Sequence, residues 1–273
     1  MFRKFTFLTA FLVTIIVIET GCSRIRPQSS FKWQLILQVE RSTHDPEGAI
    51  NQTVSIIEKR LDAAEISGFN VTRENPGSDR IIVKLPEVGD HERVKSLILA
   101  SGRLELFHIL SLPSPIPLVT YDSKEKATAF MNTLTEPSTL RVLPYLESAT
   151  SDSQPNATRW LIVRLPAIID ASDLRDARAV PGPPASNDYQ INFSLNKTGA
   201  DKFGAWTGAH VNEYIAVALS DEVKSAPFIK SQIFDRGEIN GHYSKQAAED
   251  LALTLRSGAL PAPLRILGEE TIK

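Results

Sequence analysis

Cysteine is nearly absent from this chain of 273 residues, because Cys22 is the only one. A single thiol excludes a disulfide bond within the chain. Neither sign of charge is in excess, since 30 lysine and arginine residues stand against 32 aspartate and glutamate residues. A nucleic-acid-binding protein normally presents a basic face, so this balance argues against that class. We therefore expect no nucleic-acid partner.

The sequence also lacks the motifs of common catalytic and metal sites. It contains no His-Glu-x-x-His or His-x-His pattern, no glycine-rich phosphate loop and no nucleophile elbow. The five histidines are therefore interpreted as surface or strand residues rather than as metal ligands: His44, His91, His108, His210 and His242. We expect no catalytic residue, no metal and no cofactor.

Long apolar runs are confined to the N-terminus. An apolar run over residues 5–18 follows a basic start at Arg3 and Lys4. This run is shorter than the roughly 20 residues that a membrane span requires, and this favours a signal peptide over a permanent helix. Residues 1–22 are therefore predicted to be a targeting segment, which places the rest of the chain on the extracytoplasmic side of a bacterial membrane.

Cys22 directly follows Gly21 at the end of this segment. The arrangement resembles the lipobox of bacterial lipoproteins, in which the cysteine thiol is acylated and anchors the mature protein. The alternative is an incidental cysteine in an uncleaved anchor, which Glu19 supports because that lipobox position is normally apolar. Both interpretations tether the protein to a membrane through its N-terminus.

Residues 31–111 alternate between strand and helix patterns. Asp45 and Asp90 are typical N-cap residues, and each precedes a segment with apolar residues at helical spacing. The predicted strands cover 33–40, 69–74, 80–85 and 103–110. The order is βαββαβ, so we predict an α+β protein with a ferredoxin-like base.

The proline-rich stretch 112–117 interrupts this regularity. Residues 112–258 that follow predict a second α+β unit, here called the head. After the head, residues 264–271 are predicted to return as an added strand, so 259–273 would complete the base. The head is therefore expected to be an insertion in the base, carried on two connections.

The segment 243–264 reads YSKQAAEDLALTLRSGALPAPL. Ser244 is a good N-cap, Gly258 suits a left-handed helix end, and Pro261 prevents continuation. The amino-acid sequence of this segment resembles the end of the first large extracytoplasmic domain of SecD, a membrane protein that assists the Sec translocon. Six further segments resemble SecD in the same order: 53–64, 79–88, 102–107, 191–203, 215–229 and 239–243.

The resemblance implies a membrane-tethered module that contacts unfolded secretory polypeptide or components of the Sec translocon. The alternative hypothesis is an envelope lipoprotein that uses the SecD head fold for an unrelated partner, because fold does not fix function. An enzyme is the least favoured class. After the leader no apolar run reaches the length of a membrane span, so we do not expect this chain to transduce proton-motive force by itself.

The two connections between base and head are hinge candidates, because a few residues there could absorb a rotation of the head. The alternative is a rigid body, since prolines stiffen both connections. Apolar residues on the helix faces of the head, including Phe203, Trp206 and Leu251, are predicted to be core. The hinge candidates are Leu110, Ser111, Leu112 and Pro113 in one connection and Ser257, Gly258, Ala259 and Leu260 in the other.

Overall fold

The computed structural model describes residues 31–40, 45–112, 117–147, 157–183 and 188–272. These residues form twelve strands in three sheets and five α-helices, so the α+β class is confirmed. In these ranges, no helix combines the length and the hydropathy that crossing a membrane would require.

The strands are β1 (Trp33–Val39), β2 (Asn70–Arg73), β3 (Arg80–Leu85), β4 (Leu104–His108), β5 (Leu140–Glu147), β6 (Ala157–Arg164), β7 (Leu174–Pro181), β8 (Tyr189–Leu195), β9 (Ile215–Leu219), β10 (Glu222–Ser225), β11 (Arg236–Tyr243) and β12 (Leu264–Thr271). The helices are α1 (Pro46–Ala63), α2 (His91–Leu99), α3 (Lys124–Met131), α4 (Lys197–Ala209) and α5 (Lys245–Ser257).

The base is built on a four-stranded antiparallel sheet in the order β12-β1-β3-β2. Leu35 and Leu37 alternate on the buried face of β1, and Ile57 of α1 and Ile98 of α2 belong to the same apolar cluster. The side chain of Asp45 accepts the backbone N–H of Gly48 and that of Asp90 accepts the N–H of Arg93, so both helices begin where the sequence predicts.

The sheet contains the added strand expected at residues 264–271, which is β12, but it lacks the fourth strand expected from the sequence. Residues 103–110 were predicted to be the fourth strand of the base, but β4 pairs with β9 in a different sheet. The physical reason is burial on both faces, because Leu106 lies in one apolar cluster and Phe107 in another. The closing strand β12 is half-buried along one face only, with Leu264 and Ile266 against the base core, as suits an edge strand.

The head contains the other two sheets. A five-stranded sheet has the order β4-β9-β10-β5-β6, and a three-stranded sheet has the order β11-β8-β7. One apolar cluster joins residues of both sheets to α4 and α5, including Leu106, Ile191, Phe203 and Leu255. Phe203 therefore lies in a different cluster from Leu35 of the base.

Two head strands, β7 and β11, were not predicted. They are the two outer strands of the three-stranded sheet. Arg175, Asp176 and Arg178 interrupt the apolar pattern of β7, and Gly237 and Gly241 interrupt that of β11. Outer strands tolerate such residues because one edge is not paired, and their sequences therefore carry a weak strand signal.

Candidate functional site

Leu110, Ser111 and Leu112, the described members of the first group of hinge candidates, do not lie at a boundary between base and head. The backbone N–H of Leu110 donates to the carbonyl oxygen of Ile162 at 2.8 Å, and Ser111 Oγ accepts the N–H of Val119 at 3.2 Å. These contacts, together with β4, place Leu110, Ser111 and the exposed Leu112 within the head. Pro113, like Cys22, lies outside the described residues.

The chain enters the head earlier, between α2 and β4, and it leaves between α5 and β12. These two connections lie side by side, because Leu260 N–H donates to the carbonyl oxygen of Ser101 at 2.8 Å. Gly102 has a φ of +66°, and a Cβ there would lie 2.8 Å from the carbonyl oxygen of Gly258. The second group of hinge candidates, 257–260, thus lies at the junction, packed against the first connection.

Arg60 of α1 holds the junction together. Its side chain is fully buried and donates to the carbonyl oxygens of Leu97, Ile98, Ala100 and Gly258 at 2.5–3.1 Å. Three of these carbonyls belong to the end of α2, where backbone acceptors lack helical partners. Burial lowers the pKa of Arg60 to about 10, so the guanidinium stays charged at neutral pH.

A second contact fastens α5 of the head to α2 of the base. Arg93 donates to both carboxylate oxygens of Asp250, with N–O distances of 2.8–3.2 Å. At the end of α5, Ser257 Oγ donates to the carbonyl oxygen of Leu253 at 2.8 Å. The junction is thus extensively bonded in this conformation, and a hinge at residues 257–260 stays a prediction.

A cleft of about 520 Å³ opens in the head between β10 and β11. We call it the head groove. Its lining combines buried side chains of the large head core with polar residues. The apolar lining includes Leu106, Phe193, Phe203, Ile215 and Val217, and the charged or amide lining residues are Lys224, Arg236, Glu238 and Asn240.

One wall of the head groove is the outer strand β11. It pairs with β8 on one side, and no described strand pairs with its other side. The regular pairing breaks between Ile239 and Tyr243, and Asn240 and Gly241 in this break line the groove. An outer strand presents backbone N–H and C=O groups to which an extended segment can pair.

Two glycines of β11 allow aromatic rings to pack directly against this wall. A Cβ on Gly237 would lie 2.3 Å from the ring of Phe193, and a Cβ on Gly241 would lie 2.6 Å from the ring of Tyr243. Aromatic rings therefore pack directly on the backbone of β11. Glycine within a strand often marks such a close approach or a bulge, and this was the available sequence signal for the groove.

Two buried hydroxyl groups near the groove have no hydrogen-bond partner among the described residues: Ser225 Oγ and Tyr243 Oη. Ser225 lines the groove directly, and Tyr243 packs against Gly241. Burial raises the pKa of Tyr243 to about 12, so its phenol is protonated at neutral pH. Each unsatisfied buried group costs about 1–3 kcal/mol, which bound ligand atoms could recover.

The predicted core residues of the head are packed to different degrees. Phe203 is buried, whereas Trp206 and Leu251 are partly buried against the same cluster. Phe203 also lines the groove, so one side chain contributes to both the core and the cleft. The groove could not be predicted from the sequence, because its lining comes from several separate strands and one of them, β11, has a weak strand signal.

A polar cluster lies elsewhere in the head, where His108 Nε2 is 2.6 Å from Glu213 Oε2. The ring of His210 lies beside both the ring of His108 and that of Trp206. Burial lowers the pKa of His108, although the carboxylate of Glu213 opposes this effect. Sequence spacing gave no indication that these residues meet.

Comparison with known proteins identifies the units described above. Residues 146–262 match the family model of the SecDF P1 head subdomain, and residues 50–110 match that of the N-terminal part of the P1 domain of protein translocase subunit SecDF. The protein translocase subunits SecD of Koribacter versatilis and Aquifex aeolicus are each 33% identical to this chain, over 82% and 83% of its length. This chain belongs to the SecD family, and its described residues form a P1 domain.

The alignments cover 39% and 40% of those two SecD proteins, so the chain spans about two fifths of these relatives. The fold agrees with solved SecDF structures. A crystal structure of SecDF in a super-membrane-facing form gives a TM-score of 0.65 at 22% identity, covering 88% of this chain and 30% of that chain. A structure of a membrane component SecDF that enhances protein export gives 0.62 at 22% identity, covering 86% of this chain and 98% of that chain.

Proposed function

We propose that this protein assists protein translocation by holding an extended segment of unfolded secretory polypeptide in the head groove, outside the cytoplasmic membrane. The observation that carries the proposal is the outer edge of β11, which forms a wall of an open cleft with apolar lining. The family supports it, since the relatives are named as translocase subunits.

The chemistry of the groove suits a ligand of variable sequence. Strand addition uses backbone hydrogen bonds, which any residue except proline can provide. The apolar lining can take alternate side chains of the bound segment, because side chains of a strand point to opposite faces. Lys224, Arg236 and Glu238 place both signs of charge at the groove, which gives no strong preference for acidic or basic segments.

The groove is also accessible to a polypeptide in the free protein. Asn240 and Glu238 are exposed, and β11 is already formed and paired with β8. A segment that binds here therefore needs little rearrangement of the head, and most of the entropy cost of binding comes from ordering the segment itself. We expect weak, rapidly reversible binding, as a polypeptide in transit requires.

Site-directed crosslinking tests the proposal. In the full chain with Cys22→Ser, a photo-crosslinker is attached at Asn240→Cys beside the groove or at Gln52→Cys, an exposed position on α1 of the base. A defined unfolded secretory protein is then added. We expect crosslinks from position 240 and few from position 52. Equal crosslinking from both positions would refute binding in the groove.

The backbone contribution is tested with two peptides of identical sequence, one of which is N-methylated at alternate residues. Methylation removes N–H donors that strand addition needs and leaves the side chains in place. Fluorescence anisotropy should show clearly weaker binding of the methylated peptide to the full chain. If the two peptides bind equally, recognition does not occur by strand addition.

We propose further that Cys22 is lipidated and holds the domain at the membrane of the bacterial envelope. The support is its position directly after Gly21 at the end of an apolar leader. Labelling with a radioactive fatty acid should mark the wild-type protein and not Cys22→Ser. Equal labelling of the two proteins would remove the lipoprotein proposal.

A further inference from the structure

Three side chains of the head with metal-binding atoms converge on one point. One ring nitrogen of His108, one of His210 and a carboxylate oxygen of Glu213 all lie within 4.8 Å of one another. All three side chains are partly buried, so water and small ions can reach them. Two imidazoles and one carboxylate form a donor set typical of zinc.

The backbone holds these residues in fixed positions. His108 ends β4, where it is in register with Ile215 of β9. His210 is the C-cap of α4, and its carbonyl oxygen accepts the N–H of Glu213 at 3.2 Å. The carbonyl oxygen of Glu213 in turn accepts the N–H of Ile229 at 2.9 Å. The donor atoms therefore come from a strand end, a helix end and a tight turn, which are all anchored.

The ring of His210 is oriented as metal-binding histidines usually are. Its Nδ1 lies 2.8 Å from the carbonyl oxygen of Trp206, to which it can only donate. This hydrogen bond leaves Nε2 with its lone pair available for a ligand, the tautomer that outer hydrogen bonds select in known metal sites. Trp206 also stacks on the ring, with centroids 4.1 Å apart and planes 9° apart, which restricts its rotation.

The geometry points to a site for a divalent transition metal ion, with Zn²⁺ the best fit, held by His108, His210 and Glu213. The ion would take the place of the hydrogen bond between His108 Nε2 and Glu213 Oε2, which lie 2.6 Å apart. The proton on Nε2 would pass through solvent to Nδ1, so that His108 binds the ion as a neutral imidazole. Ligand atoms on one tetrahedral zinc ion lie about 3.4 Å apart, given bond lengths of about 2.1 Å. Binding therefore requires only a small separation of these two side chains.

Three protein ligands leave one position for water or for a donor from another molecule. The charge balance is compatible with a cation, because Glu213 contributes a negative charge. Arg164 is the neighbouring positive charge that acts on His108, and its side chain is exposed to solvent, which screens its effect. Magnesium and calcium prefer all-oxygen sites, so this donor set should discriminate against them.

The test uses metal-free full-length protein and measures binding of Zn²⁺ by calorimetry, with Mg²⁺ as a comparison. Glu213→Gln keeps the shape of the side chain and an acceptor for His108 but removes the anionic ligand. His210→Phe keeps an aromatic ring against Trp206. The matched control is His91→Phe, because His91 stacks on Trp33 with centroids 4.3 Å apart in the base, away from the cluster.

We expect one Zn²⁺ per chain and no comparable binding of Mg²⁺. Each cluster variant should bind Zn²⁺ at least about tenfold more weakly, whereas His91→Phe should match the wild type. Co²⁺ should give a tetrahedral visible absorption spectrum in the wild type that both cluster variants lose. Circular dichroism confirms that each variant is folded.

Two results would overturn the site. One is the absence of Zn²⁺ binding to the folded wild-type protein. The other is equal binding by the wild type and by the two cluster variants, which would assign the ion to other residues of the chain. A cobalt spectrum unchanged in Glu213→Gln would exclude the carboxylate as a ligand.

Discussion

The junction between base and head and the head groove differ in how completely their polar groups are satisfied. At the junction, Arg60 donates to four carbonyl oxygens and Arg93 binds both oxygens of Asp250. Beside the groove, the hydroxyls of Ser225 and Tyr243 are buried without partners among the described residues. Both regions contain a buried polar atom without a partner among the described residues, because Arg60 Nε has none. At the junction, however, the other nitrogens of the same side chain donate to four carbonyl oxygens.

This contrast separates a structural role from a binding role. A polar network with most of its buried groups paired stabilises one arrangement, because every broken bond leaves a further buried group unsatisfied. Unpaired groups next to an open cleft stabilise nothing in the free protein, but they can bond to a ligand. The two regions should therefore respond in opposite directions when their polar groups are removed.

Arg60→Met should give the largest effect. It leaves the carbonyl oxygens of Leu97, Ile98, Ala100 and Gly258 without their donor in a buried site, and we expect a loss of about 3 kcal/mol or more in the free energy of unfolding. Unfolding of each variant in guanidinium chloride, followed by circular dichroism, measures this loss of stability. Arg60→Lys keeps the charge but cannot reproduce the planar fork, so it should lie between wild type and Arg60→Met. A loss below about 1 kcal/mol for Arg60→Met would show that the network does not stabilise the junction.

The ion pair between Arg93 and Asp250 should give a smaller effect. A double-mutant cycle with Arg93→Ala and Asp250→Ala should yield a coupling free energy of about 1 kcal/mol, since the pair is bidentate but partly exposed. The control is the exposed pair Lys197 and Asp201 on α4, for which we expect a clearly smaller coupling. Equal couplings would mean that the contact between α2 and α5 adds nothing beyond an ordinary surface pair.

Tyr243→Phe should give the smallest effect, and with the opposite sign. Removing a hydroxyl without a partner should leave the free energy of unfolding unchanged or raise it by up to about 1 kcal/mol. The control is Thr207→Val, because Thr207 Oγ1 donates to the carbonyl oxygen of Phe203 and accepts the N–H of Ile233. Thr207→Val should be destabilising by about 1–2 kcal/mol. If Tyr243→Phe is equally destabilising, the groove hydroxyl has a partner in the free protein.

The helix ends could be predicted from the sequence because their signals are local. Asp45, Asp90 and Ser244 accept backbone N–H groups at the starts of α1, α2 and α5, and Gly258 has a φ of +95° after α5. A capping hydrogen bond spans three residues, so neither the fold nor a distant segment is needed to recognise it. The resemblance to SecD rests on similar local segments, and the family comparisons confirm it.

The sheet to which β4 belongs could not be predicted from the sequence, and neither could the residues of the two candidate sites. Both depend on contacts between residues that are far apart in the chain. A strand pattern does not reveal its partner, and the apolar residues of β4 on both faces were the only hint that it belongs to a two-sided sheet. His108 and His210 meet only because β4 pairs with β9 next to the end of α4. The hinge candidates Leu110, Ser111 and Leu112 lie within the head for the same reason, since the prediction assumed that β4 belongs to the base.

The pairing of β1 with β12 has a consequence for folding during synthesis. The hydrogen bond from Trp33 to Glu269 joins residues 236 positions apart, and it connects the first and last strands of the base. The base sheet can therefore close only after the entire head has been made, and such distant contacts form slowly. Until then the edge of β1 is open to other extended chains. A newly made domain should thus pass through a stage in which β12 has not yet paired and β1 is still able to mispair.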